Sequence, residues 1–152
     1  GYWGVPHPTA EEMRESGFLI TGLLGRIDPD GYVHIVGRQK DLIISGGYNI
    51  YPKEIELLLD EQPGVLESAV IGVPHPDFGE TVLALVVPEP GGAADSATLA
   101  KAIAPRLARF KQPREILAID ALPRNTMGKV QKNVLRDSYG GMFTTAERSP
   151  TA

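Results

Sequence analysis

Val65-Leu66-Glu67-Ser68-Ala69-Val70-Ile71-Gly72-Val73, Pro74-His75-Pro76-Asp77-Phe78-Gly79 and Glu80-Thr81-Val82-Leu83-Ala84-Leu85-Val86-Val87 follow one another without interruption. The first and last runs are short and rich in valine and leucine, and a proline- and glycine-bearing segment separates them. That combination reads as two strands joined by a loop. The second run is apolar almost throughout, which predicts a buried strand. His75, within the loop, reads as a structural or exposed imidazole.

Working outward, the flanks alternate with this pair. Pro52 stands where the first residue of a helix would be, Ile55, Leu58 and Leu59 share one apolar face, and Pro63-Gly64 ends the run. Residues 88–94 read as a flexible connection. Ser96 is the expected cap of a second helix, whose face is Leu99, Ile103 and Leu107. Pro105 falls inside that pattern and should kink it or start a new turn. Phe110-Lys111-Gln112-Pro113 leads into a third strand over 114–119, and a last helix is expected over 131–139. Before Pro52, Leu42-Ile43-Ile44 and Tyr48-Asn49-Ile50 flank Ser45-Gly46-Gly47, a short hairpin. Its two glycines mark a tight turn or let backbone approach a ligand closely. The fold class is α/β (α+β): about three main strands flanked by helices, plus the short hairpin.

The chain before residue 38 differs. Pro8-Thr9-Ala10-Glu11-Glu12 reads as a helix start, with Thr9 as cap and Glu12 completing a capping box. Gly17 is the expected stop, and Phe18-Leu19-Ile20 a short strand. Ile27 and the run 32–36 flank Asp28-Pro29-Asp30-Gly31, a strong hairpin signal. Such a segment has little core of its own and reads as the β-rich tail of something larger. The division is therefore 1–37 as a remnant of a larger domain, a break at 38–41, a domain over 42–139, and a disordered tail over 140–152. The chain opens on Gly1, which reads as a fragment or a processed product.

The 152 residues suffice for one domain with a real core, and 42% hydrophobic with 22% charged is ordinary for a soluble globular chain. A net charge of -4 leaves no general nucleic-acid footprint. There is no cysteine, hence no disulfide framework, thiol chemistry or cysteine-held metal, and the expected compartment is the cytoplasm. No apolar run is long enough to span a membrane.

Between the third strand and the last helix lies Pro123-Arg124-Asn125-Thr126-Met127-Gly128-Lys129-Val130. Pro123 fixes the entry of this loop, and Gly128 permits backbone angles that other residues resist. Such a loop holds one lysine at its tip. A phosphate-binding loop would need glycine where Pro123 stands and Ser or Thr where Val130 stands, so that reading fails. Alone, Lys129 is an ordinary solvated lysine.

The ordered set changes that reading. Gly17-Phe18-Leu19-Ile20-Thr21-Gly22, the stretches 31–41, 44–56 and 70–80, and Pro123 to Lys129 together resemble the C-terminal end of the adenylate-forming superfamily. Its members are acyl-CoA synthetases, peptide-synthetase adenylation domains and luciferases. The wording around Gly31-Tyr32-Val33-His34 and Ser45-Gly46-Gly47-Tyr48-Asn49-Ile50-Tyr51-Pro52 looks most like malonyl-CoA and methylmalonyl-CoA synthetases.

The resemblance implies an acid–thiol ligase that uses ATP with Mg²⁺ to make an acyl-adenylate, then passes the acyl group to coenzyme A. It implies a large adenylation domain as partner, which holds ATP, Mg²⁺ and the acid, and a mobile small domain over 42–139. By the same resemblance Lys129 is the catalytic lysine, with Gly128 supporting its loop. Arg38 contacts the nucleotide, Lys40 is the hinge, and Ser45, Gly46 and Gly47 line the coenzyme A tunnel. Lys111 meets a coenzyme A phosphate or stands solvated. Lysines in the Lys129 motif are targets of reversible acetylation, which implies an acetyltransferase and a deacetylase as partners. Where the family carries a ribose-binding aspartate, this chain has Leu23, and leucine accepts no hydrogen bond. The other expectation is a truncated, catalytically incompetent domain that binds a partner protein or serves as an acetyltransferase substrate.

Overall fold

A computed structural model describes residues 13–92 and 94–144. The helix start expected over 8–12 and the tail beyond 144 lie outside them. The chain divides into two compact units, Gly1–Lys40 and Asp41–Ala152.

In the first unit, strands β1 (Leu23–Ile27) and β2 (Val33–Arg38) form an antiparallel hairpin, with Leu23 paired to Arg38 and Ile27 to Val33. The turn is built by Asp28. Its carboxylate Oδ1 accepts from the backbone N–H of Asp30 and Tyr32, and its Oδ2 meets His34 Nε2 at 2.6 Å. The His34 bond, then that from Tyr32, holds the Asp28 carboxyl below its ordinary value. The strand expected at 18–20 is reduced to a single bridge between Met13 and Leu19 across a turn at Gly17. No described residue before Asp41 is buried, and Phe18, Ile27 and Tyr32 are each more than 70% exposed.

The second unit is a sheet covered on both faces. Strands β5 (Val65–His75) and β6 (Gly79–Pro88) pair antiparallel over ten residue pairs. Pro74 and His75 continue the ladder, so the expected six-residue loop shrinks to 76–78. Proline is tolerated there because β5 is an edge strand. β7 (Glu115–Ala118) pairs parallel to β6. The short hairpin of β3 (Ile43–Ser45) and β4 (Tyr48–Ile50) is not separate from this sheet. Ser45 pairs with Gly79, and Glu80 Oε2 accepts from the Ile44 N–H at 2.9 Å. The sheet therefore has five strands, the three expected main strands and the two of the hairpin.

On one face, Val82, Ala84 and Val86 of β6 meet helix α1 (Pro52–Asp60) through Ile55, Leu58 and Leu59, and helix α2 (Ser96–Ile103) through Leu99 and Ile103. On the other face, Leu83, Leu85 and Val87 meet Leu122 and Leu135, the latter on helix α3 (Lys132–Tyr139). Tyr139, Met142 and Phe143 pack on this second cluster. Packed chain thus continues past residue 140, where the tail was expected to begin. Pro105 acts as predicted: α2 stops at Ile103 and a 3-10 turn follows over Ala104–Arg106.

The cap of α2 is Asp95 rather than Ser96, which is the first helical residue. Asp95 Oδ2 accepts from the Thr98 hydroxyl at 2.6 Å and the Thr98 N–H at 2.8 Å, and these two bonds hold its carboxyl below the ordinary value. A carboxylate held low contributes stability above its unfolded value and loses it as pH falls through the lowered one. Asp95→Ala is therefore expected to lower the thermal midpoint at neutral pH, with the gap to wild type closing in acid. Ser96→Ala should leave the midpoint nearly unchanged. Circular-dichroism melts at neutral and acidic pH check both.

Candidate functional site

Lys129 stands at the end of a tightly hydrogen-bonded hairpin. Arg124 and Val130 form its bridge, and the Gln131 N–H donates to the Pro123 carbonyl at 2.8 Å. Within it, the Gly128 N–H closes a β-turn onto the Asn125 carbonyl at 2.9 Å. The Asn125 side chain adds two more bonds: Oδ1 accepts from the N–H of Met127 at 3.0 Å and of Lys129 at 2.9 Å. Asparagine is suited to this because its short amide mimics a backbone carbonyl. Gly128 has φ +77°, so a side chain there would be strained although nothing stands within 4 Å of its Cβ position. Val130 packs on the core beneath. The loop is therefore exposed but not loose.

The Lys129 ammonium enters none of the hydrogen bonds or ion pairs among the described residues, and the residue is exposed. Its neighbours differ. Lys132 Nζ lies 2.6 Å from Glu56 Oε1, in a pair whose side chains are 17% and 8% exposed. Lys111 Nζ sits 2.9 and 2.8 Å from the two carboxylate oxygens of Glu54.

Ser45, Gly46 and Gly47 form the turn between β3 and β4. Gly46 and Gly47 have φ +55° and +83°, the double positive angle of a two-residue hairpin turn. The Gly46 N–H donates to the Phe78 carbonyl at 3.0 Å, which ties this turn to the β5–β6 turn. Tyr48, next in the chain, stacks on Phe110 with ring centroids 4.6 Å apart. Phe110 adjoins Lys111, so the fold brings the Ser45–Gly47 turn and Lys111 into one neighbourhood that sequence distance concealed. His75 is buried. Its Nδ1 accepts from the Asp77 N–H at 3.2 Å, its ring lies 4.8 Å from that of Phe78, and its Nε2 has no partner among the described residues. It reads as a structural imidazole supporting the same turn.

In the first unit, Leu23 and Arg38 are direct cross-strand partners, so their side chains project from one face of the hairpin. Both are exposed. Lys40 lies in the 3-10 turn Gln39–Asp41, at the last residue before the division. Among the described residues no cluster of three or more His, Asp and Glu side chains could hold a metal ion. No described helix is long and apolar enough to cross a membrane.

Two features escaped sequence reasoning. Arg124 reaches both the Gly128 carbonyl, at 2.6 Å, and the Glu67 carboxylate on β5. Glu56, buried within α1, accepts from the Val70 N–H at 2.9 Å as well as from Lys132. The signal for Glu56 was an acid adjoining the apolar face of α1; for Arg124 there was none.

A five-stranded α/β domain that offers one unpartnered lysine on a braced loop is the class these features define. The chain belongs to the AMP-binding enzyme C-terminal domain family, which it matches over residues 54–129. It is similar to ATP-bound MatB from Rhodopseudomonas palustris, with 57% identity and a TM-score of 0.84 over 94% of this chain and 28% of that one. Among curated relatives it is 46% identical to a feruloyl-CoA synthase of Amycolatopsis over 92% of this chain and 28% of the relative. It is 42% identical to the long-chain-fatty-acid–CoA ligase FadD13 of Mycobacterium tuberculosis over 91% and 27%. It thus spans just over a quarter of the length of these relatives.

Gly128→Ala should cost about 1–2 kcal/mol through backbone strain alone, because the site is open. Denaturant unfolding of the chain measures it. A loss no larger than that of an exposed surface substitution would mean that the loop relaxes.

Proposed function

We propose that this chain is the mobile C-terminal part of an ATP-dependent, AMP-forming acyl-CoA synthetase. The observation that carries the reading is the unpartnered Lys129 ammonium, held on a braced loop in a chain whose relatives include a feruloyl-CoA synthase and a long-chain-fatty-acid–CoA ligase. In the first step a substrate carboxylate oxygen attacks the α-phosphorus of ATP, and the bond to the bridging oxygen breaks to release pyrophosphate. Lys129 supplies positive charge where negative charge gathers on the phosphate and carboxylate oxygens. In the second step the coenzyme A thiol loses its proton, attacks the acyl carbon, and AMP leaves.

Residues 1–37 are read as the end of the large adenylation domain, which holds ATP, Mg²⁺ and the acid. Residues 38–41 are the hinge, with Lys40 as pivot, and 42–139 the moving body. Arg38 serves the nucleotide. Leu23, beside it, cannot replace a ribose-binding carboxylate, so ATP binding is weakened or lost unless another group accepts the ribose hydroxyls. The Ser45–Gly47 turn lines the path of the pantetheine arm. Lys111 reaches a coenzyme A phosphate only by exchanging its Glu54 partner. A malonate-like acid is the proposed substrate, because the stretches around Gly31-Tyr32-Val33-His34 and Ser45 to Pro52 resemble those of malonyl-CoA synthetases. The absence of cysteine suits a cytoplasmic setting. In the protein carrying its large domain, Lys129→Ala should lower pyrophosphate release with malonate, ATP and Mg²⁺ by roughly 10²–10³-fold. Thioester formation from supplied malonyl-adenylate should continue. Equal loss of both steps would overturn the assignment.

The same unpaired, exposed ammonium favours a second role, as the acceptor for a protein acetyltransferase. Transfer of an acetyl group from acetyl-CoA to Lys129 Nζ forms an amide and releases coenzyme A and a proton. The charge is lost and adenylation with it, until a deacetylase hydrolyses the amide. Incubation with acetyl-CoA and candidate acetyltransferases, followed by mass-spectrometric mapping, should find enzyme-dependent label concentrated on Lys129. Label spread evenly over Lys53, Lys101, Lys111, Lys129 and Lys132 would defeat this role.

A further inference from the structure

Besides the packing of Val130, the Lys129 loop is fastened to the sheet by one side chain, Arg124. Arg124 places one guanidinium nitrogen on the Gly128 carbonyl at 2.6 Å and the other on the Glu67 carboxylate of β5. The Gly128 carbonyl belongs to the peptide that carries the Lys129 nitrogen, so the clamp acts one bond from the residue it orients. On the opposite side of the turn Asn125 Oδ1 holds the Lys129 N–H at 2.9 Å. The peptide before Lys129 is thus gripped at both its oxygen and its nitrogen.

The pair is a poor device for stability. Arg124 and Glu67 side chains are 43% and 28% exposed, and ion pairs so open to water contribute little to folding. It is a good device for position. A guanidinium offers parallel donors in a fixed plane, so it can bind a carbonyl and a carboxylate at once with one geometry, which an ammonium on a flexible stem cannot. β5, on which Glu67 sits, is fixed by its ten-pair ladder with β6.

We propose that Arg124 is a positioning residue for adenylation: with Glu67 it fixes the peptide before Lys129 so that the ammonium meets the transferring phosphate in register. The proposal rests on the ligase reading above. It separates Arg124 from the second step, in which that reading gives Lys129 no part.

The test uses the protein carrying its large domain, with wild type, Arg124→Ala, Arg124→Lys and Glu67→Gln. Pyrophosphate release is measured over a panel of carboxylic acids, and thioester formation from supplied acyl-adenylate and coenzyme A. Arg124→Ala should slow adenylation roughly 10–100-fold, the loss expected when a catalytic group is slightly misplaced. Its thioester step should stay within about twofold of wild type, with the melting temperature nearly unchanged. Arg124→Lys should recover part of the loss, and Glu67→Gln should slow the same step less. If Arg124→Ala does not fold, the other two variants carry the test through the same split between steps. Equal slowing of both steps, or full adenylation in every variant, overturns the positioning role and leaves the ligase reading intact. A wild type that adenylates no acid on the panel overturns the ligase reading, and the positioning role falls with it.

Discussion

The ten-pair ladder between β5 and β6 is the constraint on which the rest depends. β6 is buried along nearly its whole length because its two faces serve two different clusters. Even-numbered residues Val82, Ala84 and Val86 point to α1 and α2; odd-numbered Leu83, Leu85 and Val87 point to α3. Shifting the register by one residue would exchange these faces and bring each set against the wrong helices. β6 also carries β3 beside its first residue and β7 beside its middle, so a single strand sets the position of every other element of the sheet.

The two candidate site segments hang from this strand by different attachments. The Ser45–Gly47 turn is joined at the start of β6 through Gly79, the Phe78 carbonyl and the Glu80 carboxylate. The Lys129 loop is joined through Val130 on the second cluster, through Arg124 to β5, and through α3 behind it. α3 is itself pinned twice, by Lys132 to the buried Glu56 and by Arg136 to Asp41 at 2.8 Å. A buried carboxylate whose partner is removed is costly, so Glu56 specifies where α3 begins more than it stabilises the domain. Asp41 is the first residue of the second unit. One short helix therefore connects the start of that unit to the loop that carries Lys129.

What the sequence revealed and what it hid follow from the range of the forces involved. The strands, the helix at Pro52, the two hairpins and the break at Pro105 are local signals, written in periodicity and in proline and glycine. Asp95 and Ser96 are both competent caps, and only the final backbone geometry chooses between them. That β3 joins the main sheet depends on a contact between Ser45 and Gly79, far apart in the chain. Met142 and Phe143 look like tail residues in sequence, yet find a hydrophobic surface assembled elsewhere. Lys129 became a candidate through the order of motifs around it. Arg124 did not, because its partner Glu67 is 57 residues away.

The parallel pairing of β7 with β6 bears on the order in which the domain assembles. β5 and β6 are joined by three residues and can pair early, whereas β7 reaches its place only after residues 89–114 have crossed the sheet. Closing so long a connection costs entropy before any contact repays it, which makes this pairing a late event. The Lys129 loop and α3 lie beyond β7 in the chain and rest on the surface that it completes. The lysine-bearing loop is accordingly among the last parts of the domain to become structured, and amide exchange there should report openings that leave the β5–β6 pair closed.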